Sequence, residues 1–254
     1  MKNRKNLILL VSLATLLTIF LPMQVKATTE EEYPYAYVYM QKGTLNVRAE
    51  PSTSATITEK LHIGDVVEKR TITKDGWSKV ITSTGKEGYV FDKYLKPATK
   101  DWRKYKIVSA EVAISKSNAN RDYNIAKAAG VIDGLILKPG EKFDWFDVVG
   151  DANKEKGYKL ATMYKNRKSV LAYGGGVCQV CITLYNAIND LGIVPTEKKE
   201  HSKSPGYVRE DMVDTTIAYP TKNFAFVNTC DFTITFETFA EKGESVVLAY
   251  EVLE

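Results

Sequence analysis

Hydrophobic and polar residues alternate along the first part of the chain in short stretches that are separated by Gly and Asp turns. Such stretches lie at residues 44–48, 61–67, 76–80 and 88–90. Alternation with a period of two predicts short strands with one buried face, and nearly regular spacing of such strands is typical of a small barrel. The pattern therefore predicts an all-β barrel over residues 41–97.

The next part of the chain has longer regular segments. Residues 105–114 have the composition of a strand, and apolar residues at helical spacing then predict a helix from about Arg121 to Leu137. A second helix is predicted from Cys178 onward, because apolar residues recur there at helical spacing before Gly192 and Pro195. A loop-rich stretch separates the two predicted helices.

The C-terminal part alternates again. Four segments predict strands, at residues 215–219, 224–228, 232–239 and 245–252. Helices early and antiparallel strands late predict an α+β fold for residues 98–254.

The first residues form a pattern of their own. Three basic residues precede an apolar run over residues 7–20 and the small-residue site Val25-Lys26-Ala27. This order is typical of a secretory signal peptide, here residues 1–27, so the protein is expected to be secreted. A retained membrane anchor is the alternative, although the apolar run is short for a bilayer span. Residues 28–40 lack periodicity and are predicted to be a spacer.

Net charge argues against one class of partner. The whole chain has a formal charge of +4 at pH 7, and the predicted leader contains four basic residues and no acidic one. Removal of the leader would leave a charge of about zero. Binding to nucleic acid requires a basic patch, so no nucleic-acid partner is expected. The oligomeric state stays open.

Three glycines run into a cysteine at the predicted start of the second helix, in the segment Gly174-Gly175-Gly176-Val177-Cys178. The unpaired N–H groups and the positive end of the helix dipole stabilise a thiolate at such a position. Glycines let backbone N–H groups come close to a developing oxyanion. Cys178 is therefore a candidate nucleophile, and the glycines are a candidate oxyanion site. The alternative is a buried structural cysteine.

The chain has three cysteines, so at least one is expected to be free in an exported protein. Cys178 and Cys181 have the Cys-x-x-Cys spacing, which also fits a thioredoxin-like redox pair or half of a zinc site. A zinc site would need two further ligands, for which His201 and Cys230 are the soft candidates in this part of the chain. Acyl transfer by a free thiol needs no cofactor and no metal, and we expect none.

Several segments of the predicted barrel occur in the order that is typical of a known family. They are Leu45-Asn46-Val47-Arg48 with Pro51-Ser52, the turn Gly64-Asp65, Gly76-Trp77 with Lys79-Val80, and Gly88-Tyr89-Val90 before Tyr94-Leu95. On these residues the region resembles the bacterial SH3-like domains of cell-wall proteins. The resemblance implies a non-catalytic module that holds an enzyme near peptidoglycan. A packing domain without a ligand is the alternative.

The rest of the chain carries a second set of family motifs. They are Asn124-Ile125, the run Lys138-Pro139-Gly140-Glu141-Lys142-Phe143, Val149-Gly150, Gly157-Tyr158, and Gly174-Gly175-Gly176-Val177-Cys178-Gln179-Val180 with Leu184-Tyr185-Asn186. Residues 105–254 therefore resemble a VanW-type domain, although Cys181 stands where that family usually has Ser. VanW-type domains on clostridial wall proteins are associated with L,D-transpeptidase activity. The resemblance also implies Gln179 and Tyr207 as substrate-binding candidates.

A cysteine that transfers acyl groups needs a base within hydrogen-bond reach and a third group that orients the base. His201 is the one histidine in the same part of the chain as Cys178, although it could also be a solvated loop residue. Asp214 follows it just before a predicted strand, with Asp211 and Glu210 as rivals. The order cysteine, histidine, carboxylate resembles papain-like and transglutaminase-like enzymes.

These residues together predict a peptidoglycan L,D-transpeptidase in the cell wall or on the extracytoplasmic face of the membrane. Its expected partners are stem peptides, a donor tetrapeptide and an acceptor amine, joined as 3-3 cross-links through a cysteine thioester. A cysteine peptidase that cuts stem peptides has the same residue pattern. A non-catalytic wall-binding protein with a buried cysteine is the other alternative.

Overall fold

The computed structural model describes residues 34–40, 43–73, 75–101, 103–165 and 168–253. The predicted signal peptide lies outside these residues. No helix within them is long and apolar enough to cross a membrane.

Seven strands form the first sheet. They are β1 Tyr35–Val38, β2 Leu45–Arg48, β3 Ile57–Leu61, β4 Val66–Ile72, β5 Trp77–Thr82, β6 Glu87–Phe91 and β7 Leu95–Pro97, with a 3-10 turn at Asp92–Tyr94 before β7. Every pair is antiparallel, in the order β3-β2-β6-β5-β4-β1-β7. The predicted barrel is wrong in one respect: β3 and β7 lie at opposite edges and do not pair, so the sheet is open.

Strand β1 explains this difference. It lies within the predicted spacer 28–40, yet it pairs with both β4 and β7 and extends the sheet at that edge. Ala36 and Val38 pack into the core of the first sheet, whereas Tyr37 packs toward the rest of the protein. Because both faces of β1 are buried, its residues do not alternate between apolar and polar, and the sequence pattern does not reveal a strand.

The remaining residues contain more strand than helix. Their helices are α1 Ala119–Ile132, α2 Trp145–Val148 and α3 Val177–Asn189, and their strands are β8 Tyr105–Ile114, β9 Ile136–Leu137, β10 Lys142–Asp144, β11 Leu160–Lys165, β12 Lys168–Tyr173, β13 Ala225–Val227, β14 Ile234–Phe239 and β15 Glu244–Val252. Strands β8, β15, β14 and β9 form an antiparallel sheet in that order, while β10 pairs with β13 and β11 with β12. The α+β prediction therefore holds only in part, because strands dominate.

Two predicted elements differ from the observed ones. Helix α1 ends at Ile132 and not near Leu137, because Gly134 adopts a positive φ of 73° and the chain then enters β9 beside β14. The strand predicted at residues 215–219 is an irregular segment with one isolated bridge, between Ala218 and Lys222. The predicted strand at residues 105–114 is confirmed as β8.

The long strands β8 and β15 are covered on both faces. Helix α3 packs on one face of both strands, and its cluster with α1 contains most of the largest buried side chains. Three residues of the first part of the chain, Tyr37, Ile63 and Ala98, pack on the other face with side chains of β8 and β15. The first sheet and the β8–β15 sheet therefore share an apolar interface.

Gly64 lies directly against strand β8 of the second sheet. It has a φ of +97°, and a Cβ atom there would lie 2.3 Å from the carbonyl oxygen of Ala110 in β8. We expect Gly64→Ala to lower the free energy of unfolding by about 2 kcal/mol or more, because backbone strain and a steric clash add. Gly85, in the turn between β5 and β6, is a matched control. It has a φ of +80°, but a Cβ atom there would have no neighbouring atom within 4 Å.

Gly85→Ala should cost about 1 kcal/mol, which is the strain of the left-handed backbone alone. Urea denaturation of both variants measures the difference. Equal losses in the two variants would mean that the first sheet does not press on β8.

Candidate active site

The turn before α3 packs closely against β11 and α1. A Cβ atom on Gly175 would lie 2.6 Å from the carbonyl oxygen of Ala161 in β11, and one on Gly176 would lie 2.9 Å from Cγ of Arg121 in α1. Gly176 is also the N-cap of α3, with a φ of 112°. The glycines therefore allow β11 and α1 to contact the start of the helix closely.

Gln179 fixes the start of α3 to the β8–β15 sheet. Its side-chain amide donates to the carbonyl oxygens of Ala113 at 2.9 Å and Gly243 at 2.8 Å, and its Oε1 accepts from Arg121 at 2.9 Å. The side chain is fully buried. Because both amide hydrogens have partners, Gln179 is not free to stabilise an oxyanion, and the role expected from the sequence is replaced by a structural one.

Asn186 connects the same helix to the segment that carries the candidate carboxylate. Its Oδ1 accepts from the backbone N–H of Val213 at 2.7 Å, and its Nδ2 donates to the Val213 carbonyl at 3.0 Å. Asp214 is the next residue. One buried helix thus sets the position of Cys178 at its start and of the backbone beside Asp214 further along.

His201 and Asp214 lie on two neighbouring irregular segments. The N–H of Thr216 donates to the carbonyl oxygen of Lys199 at 2.8 Å, which holds the segments side by side. His201 Nδ1 lies 2.8 Å from Asp214 Oδ1, and the backbone N–H of His201 donates to Asp214 Oδ2 at 3.0 Å. Both side chains are largely buried, 12% and 15% exposed. Asp214 therefore fixes the orientation of the imidazole, with Nδ1 toward the carboxylate.

The Cys178 thiol interacts with this imidazole. Burial raises the pKa of the Cys178 thiol, but the hydrogen bond and the charge of His201 outweigh that effect and lower the pKa below its ordinary value. Burial likewise lowers the pKa of His201, and the hydrogen bonds and charges of Cys178 and Asp214 raise it overall. Both shifts favour a thiolate–imidazolium pair.

Other contacts of the sulfur come from the segment after Asp214. Cys178 Sγ lies 3.5 Å from Thr216 Oγ1 and 3.6 Å from the carbonyl oxygen of Ile217. These contacts hold the sulfur in place. Cys178 as a whole residue is partly exposed.

Several backbone N–H groups at the start of α3 are available to bind a ligand. Within the described parts of the chain, the backbone N–H groups of Gly175, Gly176 and Cys178 have no hydrogen-bond acceptor. The first N–H groups of a helix lack internal partners for geometric reasons and are suited to bind an anion. Gly174 differs, because its N–H donates to Lys159 at 3.3 Å.

Tyr207 lies near both the sulfur and a cation. Its ring centroid is 5.4 Å from the Arg121 guanidinium carbon. Burial raises the pKa of the Tyr207 hydroxyl well above its usual range, and the nearby Cys178 charge raises it further. The hydroxyl therefore remains protonated beside the thiol.

The rival residues are engaged elsewhere. Asp211 pairs with Arg209 at 2.9 Å, and Glu210 is exposed. Cys181 is fully buried, which raises the pKa of its thiol well above the ordinary value. All three cysteines are free, and the described residues contain no group of three or more His, Cys, Asp or Glu side chains that could hold a metal ion.

The sequence patterns did not indicate three residues that contact the site: Arg121, Thr216 and Ile217. Arg121 lies in the first turn of α1, far from Cys178 in the chain, and only the closeness of Asn124-Ile125 could have pointed to it. Thr216 and Ile217 follow Asp214 in the segment that was expected to be a strand.

Comparison with known proteins connects this geometry to a family. Residues 120–250 match the family described as VanW like protein, and residues 43–96 match the family described as bacterial SH3 domain. The chain is 31% identical over 136 residues to the uncharacterized protein YoaR of Bacillus subtilis. The aligned stretch covers 54% of this chain and 45% of YoaR.

Two shorter matches add to this. The chain is 36% identical over 66 residues to the vancomycin B-type resistance protein VanW of Enterococcus faecalis, covering 26% of this chain and 24% of that protein. It is 33% identical over 63 residues to the cell wall-binding protein YwsB of Bacillus subtilis, covering 25% of this chain and 35% of YwsB. The chain spans less than half the length of each of these relatives. Because the first family match extends over more than half of the chain, the protein belongs to the VanW-like family and has a bacterial SH3 domain ahead of the VanW-like region.

Proposed function

We propose that the protein is a cysteine-dependent acyltransferase of the cell wall, an L,D-transpeptidase that forms 3-3 cross-links between peptidoglycan stem peptides. The observation that supports this most is the chain of contacts from the Cys178 sulfur through the His201 ring to Asp214. A nucleophile, a base and a group that orients the base are the minimum that acyl transfer requires.

The cell wall as the place of action is supported by the relatives. One is named a cell wall-binding protein and matches the chain over 63 residues, and another is named a vancomycin resistance protein. A bacterial SH3 domain matches residues 43–96. Peptidoglycan is the cell-wall polymer, and an acyl transfer between two of its stem peptides makes a cross-link.

The first half of the proposed reaction forms a thioester. The Cys178 thiolate attacks the carbonyl carbon between the third and fourth residues of a tetrapeptide stem. The free N–H groups of Gly175, Gly176 and Cys178 are the candidate donors to the oxyanion that forms. His201 gives its proton to the nitrogen of the fourth residue, the C–N bond breaks and D-alanine leaves.

The second half transfers the acyl group. The side-chain amine of the third residue of another stem attacks the thioester, and neutral His201 takes up a proton from it. The C–S bond breaks and the thiolate–imidazolium pair is restored. Transfer requires that the bound amine reacts faster than water, which a well-positioned acceptor achieves by its high effective concentration.

A cysteine peptidase that cuts stem peptides would use the same three side chains. It would differ only in the second half, where water replaces the amine. Purified protein incubated with muropeptides separates the two functions by mass spectrometry. A cross-linked dimer that has lost D-alanine supports transfer, whereas smaller fragments alone favour the peptidase.

Replacement of the candidate nucleophile tests the reaction site. Cys178→Ala should lower product formation by about a thousandfold or more, because no other group replaces the nucleophile. Cys181→Ser is the matched control. It changes the neighbouring buried thiol and should retain most of the activity. Equal inactivation by both changes, in proteins with unchanged circular dichroism spectra, would favour a dithiol site instead.

Thiol alkylation as a function of pH tests the pairing independently of any substrate. A variant with Cys181 and Cys230 replaced by Ser reports Cys178 alone. Its reaction with iodoacetamide should persist well below pH 8.5, about where an ordinary cysteine ionises, because the lowered pKa keeps the thiolate populated.

His201→Ala in this background should move the alkylation midpoint up, since burial then acts without the opposing cation. Asp214→Asn should move it in the same direction, because the imidazolium loses its counter-charge. Lys222→Ala is a control for general charge loss, as its Nζ donates to the Glu200 carbonyl, at 3.5 Å, and not to the three side chains of the site. A midpoint that stays unchanged in His201→Ala would mean that the two side chains do not pair.

A further inference from the structure

Arg121 extends from the first turn of α1 across the start of α3. Its Nε donates to Ser115 Oγ at 3.1 Å, and one terminal nitrogen donates to Gln179 Oε1 at 2.9 Å. Its Cγ lies where a Cβ atom on Gly176 would clash. The side chain therefore touches the residues on both sides of Cys178 in the chain, Gly176 and Gln179.

The partners of the guanidinium in the described residues are neutral groups. Besides Ser115 and Gln179 it lies against the Tyr207 ring, with the guanidinium carbon 5.4 Å from the ring centroid. Among the residues that the structure describes, no carboxylate pairs with Arg121, whereas Arg209 pairs with both Glu111 and Asp211. A guanidinium has more N–H donors than the contacts of Arg121 use. A partly buried cation of this kind has the capacity to bind an external anion.

The Cys178 thiolate is paired with His201 and is not the anion that we expect Arg121 to bind. Burial raises the pKa of the Cys178 thiol and the hydrogen bond and charge of His201 lower it, so the thiolate already has a cationic partner. Tyr207 lies near both groups: its ring centroid is 5.4 Å from the Arg121 guanidinium carbon, and burial and the charge of Cys178 raise the pKa of its hydroxyl. Arg121 and Tyr207 thus form a polar pair at the start of α3, the helix that carries Cys178.

We propose that Arg121, supported by Tyr207, binds the free α-carboxylate of the residue that leaves during acylation. This inference rests on the proposed acyl transfer and names a substrate-binding group for it. The leaving D-alanine carries its carboxylate only two bonds beyond the nitrogen of the scissile amide. A planar guanidinium recognises a carboxylate with two parallel hydrogen bonds. The enzyme therefore acts on stems that end one residue beyond the scissile bond, and a longer or blocked stem binds poorly.

Two donor peptides that differ only at the C-terminus test this. One is a disaccharide tetrapeptide with a free D-alanine carboxylate, and the other is its D-alaninamide counterpart. We expect the wild-type protein to have a kcat/KM for release of the fourth residue that is at least about 30-fold higher with the acid, because a desolvated charge pair is lost with the amide. Mass spectrometry of released D-alanine or D-alaninamide measures both rates.

Arg121→Met should bring this ratio close to one, whatever the absolute rates are. Lys127→Met removes a positive charge from the same helix, where Lys127 lies over the Tyr158 ring, and should leave the ratio unchanged. The pH midpoint of Cys178 alkylation should also stay unchanged in Arg121→Met, because the His201 contact is intact.

Each other outcome has a distinct meaning. If Arg121→Met slows both donors equally, or shifts the alkylation midpoint, then Arg121 only positions Gln179 and the inference is wrong while the acyl transfer stands. If wild-type protein uses acid and amide equally, the carboxylate is not recognised. If the wild-type protein releases the fourth residue from neither donor, the proposed function itself fails and the inference with it.

Discussion

The burial of helix α3 is the constraint on which the rest of the site depends. Its start is tied to β8 and to the turn before β15 by Gln179, and its last turn is tied by Asn186 to Val213, next to Asp214. A rigid buried helix can therefore hold the nucleophile and the histidine–carboxylate pair in register although the latter lie on irregular segments. Placement of catalytic groups on a rigid element with a supporting shell is what precise chemistry requires.

The first sheet packs against the strands that support α3. Tyr37 and Ile63 pack against the face of β8 and β15 that α3 does not cover, and Gly64 touches β8. The β8–β15 sheet thus has apolar neighbours on both faces, and removal of the first sheet would expose one of them to water. The bacterial SH3 domain is in this way part of the support for the site, whatever it binds outside the protein.

Much of the site could be predicted from short patterns. Cys178 at a helix start follows from local rules on glycine and apolar spacing, and the predicted contact between His201 and Asp214 is present at 2.8 Å. Arg121 could not be found in this way, because its contact with Gln179 joins residues 58 positions apart and depends on how α1 packs on α3. The open sheet was missed for a similar reason: strand pattern indicates that strands exist, whereas closure depends on which edges pair, and β1 is buried on both faces.

The central claim is that Cys178 forms a thioester with a stem peptide, and the intact mass of the protein tests it most directly. The protein is mixed briefly with a disaccharide tetrapeptide in the absence of an acceptor amine and quenched in acid. The mass should rise by that of the donor minus D-alanine, with the adduct mapped to Cys178 and released by hydroxylamine. No adduct at any time point, or an adduct on Cys181 or Cys230, would contradict the proposed mechanism.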